Sequence, residues 1–200
     1  MSGRVVCDIA ISADGFAAGL NQTRDKPFGD GPVERLHAWM FDTPEENKAE
    51  VDRIVDAGAF IMGRNMFGGR GSWEEHPWDG WWGDDPPFHM PVFVVTHHPR
   101  PPLVMRGGTT FTFVTDGIES ALAQARAAAG GKDVALGGGA SVAQQYLKAG
   151  LIDELRIHVV PILLGDGARL FDNLGDVRPT LECTQVVAAP GVTHLTYRVR

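Results

Sequence analysis

An apolar strand, Val134-Ala135-Leu136, runs through Gly137-Gly138-Gly139 straight into a helix-like stretch, Ala140 to Leu147. A strand that turns into a helix through residues without a Cβ commits the chain to strand–helix alternation at that point. It also lets backbone N–H groups approach a ligand closely, while the helix N-terminus adds unpaired donors and partial positive charge, a setting that suits phosphate. The same residues serve equally as a tight turn with close strand–helix packing, and the local sequence leaves both readings open. A Rossmann fingerprint is only half matched, since Val142 stands where the third glycine belongs. Gly130-Gly131-Lys132-Asp133 lacks the spacing and the hydroxyl of a Walker A loop.

The rest of the chain extends the alternation. Arg4 to Ile11 reads as a buried first strand, followed by the turn Ser12-Ala13-Asp14-Gly15 and a Gly/Asn/Asp/Pro-containing loop to about Pro32. Leu36, Trp39 and Met40 repeat at helical spacing. Thr43 as N-cap, Pro44 and Glu46 predict a further helix start, with an apolar stripe of Val51, Ile54 and Val55 and a stop at Gly58. Ala59 to Met62 is a short strand ending in Gly63-Arg64, and Val92–Thr96 and Thr110–Val114 are two more. Between them, the Trp- and Pro-rich stretch from Gly68 to Pro91 holds Trp73, Trp78, Trp81 and Trp82 and reads as a covered surface. Asp116 with Glu119 is a second capping pattern, for a helix ending at Gly130-Gly131. Leu155–Ile162 is a strand broken by Pro161, and the tail is a hairpin about Ala189-Pro190-Gly191. These elements predict one α/β domain over residues 1–200, a mainly parallel sheet with helices on its faces and an antiparallel C-terminal edge.

Composition narrows the partners. With 44% apolar residues among 200, a sizeable core is expected. Eighteen basic against 25 acidic residues give a net charge of −7 with no basic cluster, which argues against nucleic acid or an anionic membrane. Cys7 and Cys183 both lie in apolar strand-like runs and read as buried free thiols. The N-terminus shows no signal-peptide pattern and no stretch reaches membrane-span length, so a cytoplasmic protein is expected.

Among candidate site residues, Arg64 begins a short helix at Asn65-Met66-Phe67 beside Gly63. An arginine there reads either as a phosphate clamp or as an ordinary surface residue. His97-His98 beyond a strand end, with Arg100 nearby, face opposite ways on an extended chain, and no metal is expected. His158, within an apolar strand, reads as a satisfied core histidine. His76 and His89 carry no constellation. Asp14 is a turn residue that often hydrogen-bonds the backbone.

Taken in order, these pieces resemble the dihydrofolate reductase-like superfamily, and more closely the reductase domain of bifunctional riboflavin-biosynthesis deaminase-reductases. The resemblance spans essentially the whole chain. Ile11-Ser12-Ala13-Asp14-Gly15-Phe16, Ile61 to Phe67, Val92 to Thr96, Val134 to Gly139 with its helix, and Leu151 to Leu155 carry it. Pro161-Ile162-Leu163-Leu164-Gly165-Asp166-Gly167 with Leu170-Phe171 completes it.

The resemblance implies a three-layer fold with NADPH as cofactor. Ala10 and Ala17 would hold the nicotinamide carboxamide; Gly63 and Arg64 would bind phosphates; Thr96, His97 and His98 would surround the adenosine 2′-phosphate. Gly137, Gly138, Gly139, Ala140, Ser141 and Val142 would form the pyrophosphate loop, with a cis Gly137–Gly138 bond. Asp14 is the catalytic candidate, and Phe16 and Trp39 are the candidates for substrate contact. The family's acidic residue falls at Asn47, with Glu46, Asp42 or Glu34 as neighbours that a shift or the inserted segment would bring in. The expected activity is hydride transfer to a small polar pterin- or pyrimidine-like substrate. The alternatives are reduction of 5-amino-6-(5-phosphoribosylamino)uracil, which the absence of a fused deaminase pattern weighs against, and NADPH binding without catalysis. Relatives in the riboflavin branch imply a homodimer.

Overall fold

β1 (Val5–Ser12) is buried along its whole length, as a strand covered on both faces must be. The protein is described here from a computed structural model covering residues 3–69, 71–74 and 78–200, so His76 lies outside the described residues. The other strands are β2 (Phe16–Ala18), β3 (Ala59–Gly63), β4 (Pro91–Val95), β5 (Leu103–Val104), β6 (Thr110–Val114), β7 (Val134–Gly138), β8 (Glu154–Val160), β9 (Ala168–Arg169), β10 (Leu181–Ala189) and β11 (Val192–Val199). A nine-stranded sheet runs in the order β10-β11-β8-β1-β7-β3-β4-β6-β5. Its centre, from β8 to β6, is parallel, and the β10–β11 hairpin joins β8 antiparallel, as the alternation and the tail predict. At the far edge β5 is antiparallel to β6, and β2 pairs with β9 in a separate ribbon. Neither short ribbon is legible in the sequence.

The two faces of β1 differ, and this positions the site. Val5, Cys7, Ile9 and Ile11 join the main core with α4 (Ile118–Ala129) and α5 (Ala140–Lys148). The alternate set Val6, Asp8, Ala10 and Ser12 faces the other way, toward the side covered by α1 (Ala38–Phe41) and α2 (Lys48–Val55). On α4, Ala121, Leu122, Ala125 and Ala129 recur at helical spacing and meet the sheet. Tyr146 anchors α5 to the start of α4, its buried hydroxyl donating to the Ile118 carbonyl at 2.8 Å. Fully burying a side chain the size of Leu136 contributes about 1.5–3 kcal/mol. A second apolar cluster, around Phe60, Met62, Phe67 and Phe111, takes in Trp73 and Trp82, so these two tryptophans of the Trp-rich stretch are partly covered.

Local expectations are corrected in several places. The helix predicted from Thr43 starts only at Lys48, because the Asn47 side-chain amide takes the Thr43 carbonyl at 3.0 Å, the acceptor that an α-helix starting there would use. Val51 and Ile54 pack inward, but Val55 is exposed. Gly117, rather than Asp116, is the N-cap of α4. Cys7 is buried, whereas Cys183 is exposed, because edge strand β10 shows most of its length to solvent.

Candidate functional site

Parallel strands deliver their C-terminal ends to one edge, and there the structure gathers most of the residues singled out from the sequence. Ser12 and the turn to Gly15 follow β1, Gly63 and Arg64 end β3, Thr96 to His98 follow β4, and the glycine loop ends β7. The cis peptide lies between Gly138 and Gly139, one residue later than expected, at the end of β7. Gly138 has φ +94°, open to glycine at no steric cost. A Cβ on Gly139 would meet nothing within 4 Å, so the loop borders open space. Gly139 caps α5 without a side-chain hydrogen bond. Its first-turn N–H groups, at Ala140 and Ser141, have no acceptor within the helix. Gly63 touches this turn from the side.

Arg64 is the electrostatic centre of the edge. Its guanidinium stacks over Trp73 at 3.6 Å, yet Nε, Nη1 and Nη2 are all buried without a hydrogen-bond partner among the described residues. Burial first, and then the neighbouring Arg100 charge, push its pKa down to about 10. Arg100 lies over the same Trp73 ring at 4.9 Å but is satisfied, pairing with Asp79 and donating to the Trp78 carbonyl at 2.7 Å. Trp73 in turn donates Nε1–H to the His98 carbonyl at 2.8 Å, and Thr96 Oγ1 accepts the His98 N–H at 3.1 Å. His97 is exposed beside them. Arg64, Thr96, His97 and His98 thus form one cationic and aromatic corner. The sequence missed Trp73 as the surface that holds both arginines.

Asp14 has a different environment from that of a free catalytic carboxylate. It accepts from the Ser12 hydroxyl at 2.5 Å and from the N–H groups of Leu164 and Gly165 at 3.1 and 2.7 Å. Chiefly through the Ser12 bond, its pKa falls to about 2, which keeps it ionised and unable to donate a proton at neutral pH. The Phe16 ring is buried beneath the Arg169 guanidinium, 4.4 Å from its centroid, and Ala17 packs against the main core.

A polar row crosses the sheet beside Ala10. Ala10 pairs with His158 and His158 with His194, in register over β1, β8 and β11. Asp8 bonds His158 Nε2; His158 Nδ1 lies 2.6 Å from His194 Nδ1; His194 Nε2 lies 3.0 Å from Asn47 Oδ1. Trp39 covers both imidazoles, with ring centroids at 4.5 and 4.9 Å. His158 is therefore buried and satisfied, as its sequence context implies. Asp8 and His194 were not singled out, although a carboxylate inside the apolar run of β1 was a visible signal. Asn47 is buried at this wall and so is Glu50 on α2, while Glu34, Asp42 and Glu46 are exposed.

Comparison with known proteins agrees with the architecture. A family model described as the RibD C-terminal domain matches residues 4–195. An uncharacterized Bacillus subtilis protein, YyaP, is 25% identical over 201 residues, covering 97% of this chain and 94% of that one. The crystal structure of a putative riboflavin biosynthesis protein from Shewanella sp. PV-4 superposes with TM-score 0.68 at 24% identity, covering 100% of this chain and 99% of that one. Dihydrofolate reductase from Enterococcus faecalis, complexed with NADP(H), superposes with TM-score 0.56 at 14% identity, over 100% and 98% of the two chains. No helix among the described residues is long and apolar enough to cross a membrane.

Proposed function

The chain belongs to the RibD C-terminal domain family, and from that premise we propose that it is an NADPH-dependent reductase acting on a C=N or C=O bond of a small polar, pterin- or pyrimidine-like heterocycle. The observation that carries this reading is the buried guanidinium of Arg64, which has no hydrogen-bond partner among the described residues. An unpaired buried cation is costly, and a phosphate oxygen pair matches its planar fork of donors. The rest of the edge fits a dinucleotide. The first turn of α5 and the open position at Gly139 offer backbone N–H groups to a pyrophosphate. Trp73 joins the Arg64 guanidinium to the Thr96–His98 segment, and a ribose 2′-phosphate held by that segment would favour NADPH over NADH.

NADPH supplies the hydride when bound; the protein's part is positioning and electrostatics. Ala10, a small side chain buried beside His158 on β1, would hold the nicotinamide carboxamide through its backbone. Asp14 clamps the Leu164–Gly165 segment against the β1–β2 turn and acts as a positioning residue. Trp39 walls the substrate side. Asn47 cannot serve as a general acid, a group typically worth ~10²–10⁴-fold in rate. This favours a pyrimidine-like substrate over dihydrofolate.

Titrating the protein with NADPH while following tryptophan emission tests the cofactor. Quenching or energy transfer at micromolar NADPH, with NADH weaker, is the expected result; its absence rules out the cofactor assignment. Loss of NADPH absorbance with a phosphoribosylamino-pyrimidine, but not with dihydrofolate, is expected for the substrate.

A further inference from the structure

We propose that His158 is a buried imidazolium, bonded to Asp8 and to a neutral His194, and that this one stored proton locks Asn47 and the Trp39 wall of the substrate side. The argument is a count of hydrogens. Asn47 Nδ2 lies 3.2 Å from the Trp39 carbonyl and 3.0 Å from the Thr43 carbonyl, and carbonyls only accept. The amide is therefore oriented with Oδ1 toward His194, so His194 Nε2 must carry a hydrogen. At the other end, the Asp8 carboxylate accepts from His158 Nε2–H. The two Nδ1 atoms, 2.6 Å apart, share one more hydrogen. Two neutral imidazoles carry two ring hydrogens between them, and this chain of bonds requires three.

The charge falls on His158 for reasons of environment. Burial, and then the His158 charge, hold the His194 pKa down to about 4, and the same two causes hold His37, just before α1, at about 4. The other charged groups facing the row are Glu50 and Arg53 from α2 and Glu154 and Arg156 from β8. Arg53 pairs with Glu50, and both arginines lie against Glu154. Arg156 also lies 3.4 Å from the second oxygen of Asp8, so that carboxylate stands between His158 and a second cation. Removing the proton leaves two hydrogens for three links; with the two shorter links, to Asp8 and between the Nδ1 atoms, keeping them, His194 changes tautomer and its bare Nε2 faces Asn47 Oδ1 as a second acceptor at 3.0 Å. An unmade buried hydrogen bond of this kind is unfavourable, and the turn carrying Trp39 would give way. The row meets Ala10 in register, so its link to a substrate rests on the reductase reading, whereas the proton count does not.

The test uses the full chain labelled with ¹⁵N-histidine and ¹⁵N-tryptophan. At neutral pH, NMR should find three protonated ring nitrogens and one bare nitrogen for the His158–His194 pair; two and two overturns the proposal. Asn47→Leu removes the acceptor and should lower the count to two; a count still at three overturns the role of Asn47. Should that variant fail to fold, the wild-type count decides alone. On raising the pH, the Trp39 indole signal should shift together with the histidine signals. A Trp39 signal that ignores their titration overturns the coupling to the wall. Absence of NADPH binding would count against the reductase reading and leave the proton count intact.

Discussion

A Cβ on Gly63 would stand 2.7 Å from Val142 Cγ2 and 3.7 Å from the Gly138 carbonyl oxygen. The end of β3 and the first turn of α5 therefore meet at a distance only glycine allows. Gly63 has an ordinary extended backbone, φ −83°, so its requirement is for space and not for conformation. Gly63→Ala should destabilise the protein by about 1–3 kcal/mol through overpacking, read by urea unfolding. It should also weaken NADPH by roughly tenfold, about 1.4 kcal/mol, by displacing the N-terminus of α5. Adding Val142→Ala should recover most of both losses, and a strictly additive double-mutant cycle would refute this contact as the cause.

Arg64 makes opposite demands on the free and the bound protein. Arg64→Ala should weaken NADPH by about 1.5–3 kcal/mol, the range for a hydrogen bond to a charged group. In the free protein it removes a cation without a partner among the described residues, so thermal stability should hold or rise. Arg64→Lys should rescue little, since the planar stack on Trp73 and the donor fork are both lost. Calorimetric titration and thermal melts check both signs; an unchanged affinity removes Arg64 from the phosphate site.

The two parts of the site differ in how legible they are. Strand–turn–helix junctions such as Gly137 to Val142 and Gly63 to Phe67 are local signals, and with them the parallel centre of the sheet could be read. The polar row could not, because Asp8 and His158 are 150 residues apart, His158 and His194 are 36 apart, and they meet only through strand register. The same holds for the delayed start of α2, which depends on where the Asn47 amide is held from outside its own turn. Asp14 belongs to a motif that marks it as a site residue, and besides its local bond from Ser12 it takes the returning N–H groups of Leu164 and Gly165, which the motif does not show.

Asp14 should leave a signature in acid. Its folded pKa, about 2, lies below the ordinary carboxylate value of 3.8, so the carboxylate contributes stability that is fully present above about 4. That contribution is lost as pH falls through the folded value, when the proton it takes up breaks the clamp on Leu164 and Gly165. Melting midpoints of wild type and Asp14→Asn should therefore differ most above pH 4 and converge toward pH 2. Parallel curves over that range would show that the clamp is not what Asp14 contributes.

The thiols should divide by their strands. Cys7 is fully buried in β1, and burial, with the adjacent Asp8 charge, pushes its pKa well above the usual thiol range. It stays protonated and shielded, the opposite of what thiolate reactivity requires. Cys183 sits on the exposed edge strand β10. An Ellman-type reagent should therefore titrate one thiol in the native protein and the second only on unfolding. Cys183→Ser should change stability by less than about 0.5 kcal/mol, as a surface substitution does. Cys7→Ser should cost about 1–3 kcal/mol, because it places a hydroxyl in the main apolar core between Val5 and Ile9. Two rapidly reacting thiols in the native state would mean that β1 opens readily, and would contradict its place at the centre of the sheet.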